Sequence, residues 1–187
     1  GHSQFERIPL SADRRAAMLE EQVDRISNAV SELKEEQGAK WGIKDMERQR
    51  ANLEAQILEL RNDAKKDDVL DFEQLGIDAL FVDEAHVFKN LSIFTKIRNV
   101  AGIATNGSQR AMDMFQKIQY IQEHTGGRNV FLATGTPISN TMCEMYVMQL
   151  YLQSQKLREK GIEHFDSWAA NFGEVTTSLE MSPEGGY

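Results

Sequence analysis

Cysteine is nearly absent from this 187-residue chain, and proline is scarce. Cys143 alone cannot close an internal disulfide and has no partners at metal-ligand spacing, which fits a reducing compartment and leaves it the role of a small buried apolar residue on a helix. No run approaches the roughly eighteen apolar residues of a membrane span, and the N-terminus lacks the basic-then-apolar order of a secretory signal. The expected location is therefore cytoplasmic, with no membrane partner. Pro9, Pro137 and Pro183 stand apart, so the Asn/Asp-Pro-Pro-aromatic signature of adenine amino methylation is missing. Also missing is any Gly-x-x-x-x-Gly-Lys-Ser/Thr loop, the backbone cradle and lysine that hold a triphosphate.

What is present suffices for one ordinary core, or a compact core with an appendage. The formal charge of −8 argues against general adhesion to nucleic acid. Its distribution is uneven, however. Between Lys89 and Arg128 stand Lys89, Lys96, Arg98, Arg110, Lys117 and Arg128, opposed by Asp113 and Glu123 alone. Such a window reads either as a solvated basic face or as a strip for phosphate contacts.

Residues 12–66 carry two narrow helical stripes. Leu19, Val23, Ile26, Val30 and Leu33 recur at spacings of four and three, as do Leu53, Ile57, Leu60 and Ala64. Between them, "QGAKWG" offers Gly38 and Gly42 to end one helix and turn the chain. Ser11 suits the N-cap of the first helix, but Arg14 stands where a capping box places an acid. The spacing predicts a projecting antiparallel, coiled-coil-like hairpin with arms on the order of 30 to 35 Å long. Two separately packed helices, or pairing with another chain, satisfy the same pattern.

From residue 69 the pattern alternates between strand and helix. "DVLDFEQL" predicts a short helix stopped by Gly76, and "DALFV" a buried strand. The Gly- and Asn-rich "NVAGIATNGS" predicts a loop, followed by a helix from about Ser108 to His124. "NVFLA" is then a second buried strand, and a helix from about Thr141 to Ser154 follows, carrying Met142, Met145, Met148 and Leu152 on neighbouring turns, with the methionines expected in the core. Continuous apolar strands separated by a helix imply an α/β fold with a parallel sheet, whose ligands sit beyond the carboxyl ends of the strands.

At the first such end stands "VDEAHVFKN". Adjacent carboxylates repel and resist burial, so Asp83 and Glu84 call for a cation, a hydrogen-bonded role or open water. An aspartate there can hold magnesium through water, while the following glutamate orients or deprotonates an attacking water. That division suits phosphoryl transfer. The bland alternative is a turn capped by its own carboxylates.

"DEAH" continuing to "VFKN", with "ATGTPISN" after a second strand, resembles the second and third motifs of superfamily-two helicases, in particular Swi/Snf-type DNA translocases. "HSQFERIPLS", "LGIDALFVDEAHVFKNL" and "FDSWAANFGEV" resemble the large helicase-like proteins of phages and mobile elements, some of which also carry an adenine-specific methyltransferase. The resemblance implies a partial RecA-like lobe over residues 1–11 and 67–187, with residues 12–66 inserted as the hairpin. ATP and magnesium are the implied cofactors. Asp83 would hold the magnesium through water, Glu84 would act as general base, and His86 would link the nucleotide site to the third motif. Thr134, Gly135 and Thr136 would border the nucleotide, with Pro137 fixing the turn. Lys89, Asn90, Lys96, Arg110, Thr134, Thr136 and Asn140 would couple the site to double-stranded DNA or touch it. The same resemblance implies a second helicase lobe elsewhere in the polypeptide, with this chain a fragment from a bacterial or phage setting that hydrolyses ATP poorly by itself. The competing reading is a non-catalytic module that docks a partner through its hairpin.

Overall fold

In the computed structural model, residues 1–35, 40–63, 70–93, 95, 97, 107–139 and 141–174 are described. They form α1 (His2–Phe5), α2 (Ala12–Glu35), α3 (Lys40–Asp63), β1 (Leu80–Val82), α4 (Gln109–Thr125), β2 (Val130–Leu132), α5 (Met142–Glu159) and α6 (Phe165–Phe172). Single 3-10 turns occupy Phe72–Leu75 and Ala85–Phe88. The architecture is mixed α/β, mostly helical, around a small parallel sheet. Among the described residues no helix is long and apolar enough to cross a membrane.

The two stripes pack against each other in antiparallel fashion. Ala16 and Leu19 near the start of α2 meet Ile57 near the end of α3, and Ile26 and Val30 meet Met46. The ion pairs Glu20–Arg61 and Lys34–Glu47 join opposite ends of the same seam. Contrary to the expected projection, the first half of α2 lies along the rest of the molecule. Arg14 pairs with Glu123 of α4, Glu21 lies 3.3 Å from Arg158 of α5, and Gln22 donates to the Met112 sulfur at 3.5 Å.

The incomplete capping signature at Ser11 is completed from a distance. Its Oγ accepts the Arg14 N–H at 3.3 Å. The reciprocal acid is Glu73, whose two oxygens each lie 3.1 Å from Ser11 N, while Ser11 Oγ donates to one of them at 2.7 Å. A carboxylate 62 positions away thus does what the residue at N3 ordinarily does, and it fixes where the hairpin departs. Glu73 sits on the 3-10 turn Phe72–Leu75, which Gly76 ends with a left-handed φ of 63°; among the described residues of the expected short helix only this turn forms, since Asp71 is extended and Leu70 lies outside any helix.

β1 and β2 pair in parallel, with Leu80 opposite Val130, Phe81 opposite Phe131 and Val82 opposite Leu132. One face of the pair joins the main core, in which Val82, Phe88, Ile118, Val147 and Tyr151 are buried. The other face departs from the expectation of fully buried strands. Phe81 and Phe131 are 74% and 51% exposed, their rings stacked 4.4 Å apart.

The methionine stripe of α5 is likewise not the core face. Met142, Met145 and Leu152 are exposed and Met148 is buried, while Cys143, Tyr146, Val147, Tyr151 and Leu157 turn inward. Tyr151 explains the choice: its hydroxyl lies 3.0 Å from the Phe88 carbonyl and 2.9 Å from that of Ala111. It therefore ties α5 to the turn after β1 and to α4. Burial pushes its phenol pKa up, which keeps the proton available as a donor.

Lys117, counted above in the basic strip, is fully buried. Its ammonium donates to Asp113 at 2.6 Å and to the Phe5 carbonyl at 2.9 Å, and it sits 4.6 Å from the centre of the Phe5 ring. Burial pushes the Asp113 carboxyl above its usual range even though Lys117 pulls the other way. Desolvation thus dominates, as is common for buried ion pairs. Asp113→Ala should cost about 3 kcal/mol by leaving a buried ammonium short of acceptors, whereas Lys117→Met, which keeps the apolar stem among the aromatic rings, should cost less. Urea denaturation of both variants checks the order.

Candidate functional site

The parallel pairing continues past the strand ends. Ala133 N–H donates to the Val82 carbonyl at 2.8 Å, and Ala85 N–H donates to the Ala133 carbonyl at 3.0 Å. These two bonds hold the Asp83–Glu84 turn beside the loop that begins at Thr134. Both predicted motifs therefore share one edge of the sheet.

Within the turn, Asp83 Oδ1 accepts the Glu84 N–H at 2.9 Å. Glu84 is left-handed, with φ 52° and ψ 44°, a conformation that costs a non-glycine residue on the order of 1 to 2 kcal/mol. This bend brings Glu84 Oε2 to 3.1 Å from His86 Nδ1. The same nitrogen lies 3.2 Å from Thr134 Oγ1, which also accepts the Thr136 N–H at 3.1 Å. A lone pair on Nδ1 would face the carboxylate unfavourably, so the tautomer with the proton on Nδ1 is the one this geometry favours. Glu84, His86, Thr134 and Thr136 consequently form one chain of polar contacts joining the two loops. Behind the turn, His2 Nε2 lies 2.9 Å from the Asp83 carbonyl oxygen, and the His2 ring meets Phe88 edge-on at 5.2 Å.

Asp83, Glu84, Gly135 and Thr136 are exposed, and Gly135 has open space where a side chain would stand. Among the described residues no group of three or more His, Cys, Asp or Glu side chains could cage a metal ion. A lone exposed aspartate still suits magnesium, which usually keeps several waters and takes only one or two carboxylates from the protein.

The residues assigned to coupling or DNA contact are less uniform. Lys89 is 14% exposed and pairs with Glu144 at 3.0 Å. The Asn90 carbonyl accepts the Ser108 N–H at 2.8 Å, which anchors the start of α4. Arg110 pairs with Glu6 at 2.6 Å, so this guanidinium is already engaged with a carboxylate. Lys96 and Asn140 lie outside the described residues. Glu144 was not singled out from the sequence. Its one visible signal, an acid in the first turn of a helix, is ordinarily explained by the helix dipole.

A family model described as "Probable helicase domain" matches residues 1–184. The chain belongs to the probable helicase domain family. A curated relative is "Defense against restriction protein B" of Escherichia phage P1, 31% identical over 107 residues. The match covers 56% of this chain and 5% of that protein's length, so this helicase-domain chain spans a small part of the relative. No solved structure shows significant similarity to it.

Glycine adopts the left-handed conformation without strain, so Glu84→Gly should leave stability unchanged or raised by up to about 1 kcal/mol, offset in part by added freedom of the unfolded chain. Glu84→Val, β-branched at positive φ, should lower it by about 1 to 2 kcal/mol. Denaturation midpoints of the two variants measure the strain held at this turn.

Proposed function

We propose that the chain supplies the hydrolytic edge of an ATP-driven, Swi/Snf-type DNA translocase. The observation that carries this reading is the polar chain from Glu84 through His86 to Thr134 and Thr136, which joins the two strand-end loops. Asp83 would hold magnesium through water, and the bound metal and nucleotide would supply a polarised phosphoryl group. Glu84, exposed and bent away from Asp83, would take the proton of an attacking water. His86 would orient that carboxylate and register its position at Thr134, while Gly135 leaves room beside the loop for a ligand. Changes in the nucleotide site would pass through Thr134 and Thr136 toward the DNA-binding face, with Lys89, Asn90 and Asn140 organising the loops and Lys96 contacting DNA.

On this reading the parallel pair is part of a RecA-like lobe, residues 1–11 and 67–187, interrupted by the hairpin of residues 12–66. Further strands and helices of that lobe would cover Phe81 and Phe131, and the phosphate cradle absent from these 187 residues would come from the same polypeptide. A second lobe would complete the site, with double-stranded DNA as the track and a methyltransferase domain as a companion in the same polypeptide. The likeness to a phage protein named for defense against restriction supports a bacterial or phage setting.

One observation favours a second reading, a non-catalytic docking module. A cleft of about 620 Å³ runs between the hairpin and a wall that includes Leu91, Thr95, Ser108, Met112, Phe115 and Asp166, and could receive a partner segment. Glu84→Gln in the full-length protein separates the two readings. Under the motor reading it should lower DNA-stimulated ATP turnover by roughly 10²- to 10⁴-fold while nucleotide binding persists. Undiminished turnover in that variant refutes the assignment of the base.

A further inference from the structure

We infer that Lys89 and Glu144 form a clasp that fastens the far end of the Thr134–Ser139 loop to the end of the Ala85–Phe88 turn, which directly follows Asp83 and Glu84; this makes both positioning residues for the hydrolytic site and rests on the reading proposed above. Lys89 directly follows the Ala85–Phe88 turn, and its Nζ lies 3.0 Å from Glu144 Oε2 and 2.6 Å from Ser139 Oγ. Glu144 Oε2 also accepts the Ser139 N–H at 2.5 Å, and the Ser139 hydroxyl lies 3.2 to 3.3 Å from both carboxylate oxygens. Lys89 and Glu144 are each only 14% exposed, so this pair is screened far less than a surface ion pair.

The placement gives the pair its consequence. Thr134 is tied to His86 at the near end of the loop, and Ser139 is tied to Lys89 and Glu144 at the far end. The loop is thus held at both ends to one turn. Glu144 stands in the first turn of α5, where the helix dipole favours its negative charge, and α5 is itself anchored through Tyr151 to the Phe88 carbonyl. Turn, loop and helix are therefore each tied to the other two. Removing the Glu144 charge would weaken the acceptor of the Ser139 N–H, and removing Lys89 would take from that carboxylate the counter-charge that holds it, so either change loosens Ser139 while leaving the His86–Thr134 contact in place. The clasp also competes with DNA: a Lys89 ammonium committed to Glu144 and Ser139 makes no phosphate contact, because a phosphate would have to break the pair first.

The test uses the full-length protein with Lys89→Met, Glu144→Gln and the conservative Lys89→Arg. Amide hydrogen exchange at Ser139 should accelerate at least about tenfold in the first two variants and stay near wild type in Lys89→Arg. The kcat for ATP should fall roughly tenfold to a hundredfold in the first two, with KM for ATP nearly unchanged and Lys89→Arg restoring most of the rate. Unchanged Ser139 exchange in both Lys89→Met and Glu144→Gln would overturn the clasp, and faster exchange with an unaltered kcat would overturn its positioning role. A salt slope for DNA binding that drops by about one in Lys89→Met would reassign that lysine to a phosphate. Absence of ATP turnover in the wild-type protein would count against the hydrolytic reading, while Ser139 exchange would still decide the clasp.

Discussion

Two backbone hydrogen bonds set the site: Ala133 N–H to the Val82 carbonyl and Ala85 N–H to the Ala133 carbonyl. They extend the parallel register of β1 and β2 by one step beyond the last sheet residues. A shift of one residue would turn Val82 outward and Phe81 inward, and every contact beyond the strand ends would be lost with it. Core packing enforces the register, because Val82, Ala85 and Phe88 enter the same apolar cluster as α4 and α5. The polar contacts at the rim are therefore stabilised from below, by buried apolar residues that take no part in them.

Electrostatics follow the same economy. Lys89, Arg110 and Lys117 look in the sequence like members of a basic strip, yet each meets a carboxylate, respectively Glu144, Glu6 and Asp113. Their charges join segments of the fold that are remote in sequence. Arg110 links α4 to the residues just after α1, and Lys117 links α4 to the Phe5 carbonyl. In an acidic chain, a local excess of cations is readily consumed by acids inside the window, such as Asp113, and outside it, such as Glu6 and Glu144, so a linear charge count is a poor guide to a phosphate-binding surface.

Much of this was legible in the sequence wherever a pattern is local. The stripes Leu19-Val23-Ile26-Val30 and Leu53-Ile57-Leu60 mark the two helices that do pack together, and the apolar runs ending at Val82 and Leu132 mark the parallel strands. Failures arise where two local solutions are equally good. On α5, Met142-Met145-Met148 and Cys143-Tyr146-Val147 both satisfy helical spacing, and the hydrogen bonds of Tyr151 to remote carbonyls select the second. Along the strands, an unbroken apolar run does not reveal that the Phe81–Phe131 face is left uncovered by the described residues. The part of Glu144 was hidden for a related reason: Lys89 is distant in the chain, and the nearby bond to Ser139 is masked by the ordinary explanation of an acid at a helix start.

The adjacent acids show how the turn resolves a conflict the sequence poses. On a continued extended strand the side chains would alternate, and Glu84 would follow Val82 toward the core, where its carboxylate would be costly to bury. The left-handed backbone at Glu84 breaks that geometry. Asp83 turns back on the peptide and accepts the Glu84 N–H, while Glu84 reaches His86. Each carboxylate thereby acquires its own local donor, and both stay accessible to water. The strain at Glu84 and the exposure of its carboxylate are thus one feature: an extended backbone here would turn Glu84 toward the core and detach it from the contact that reaches the second loop.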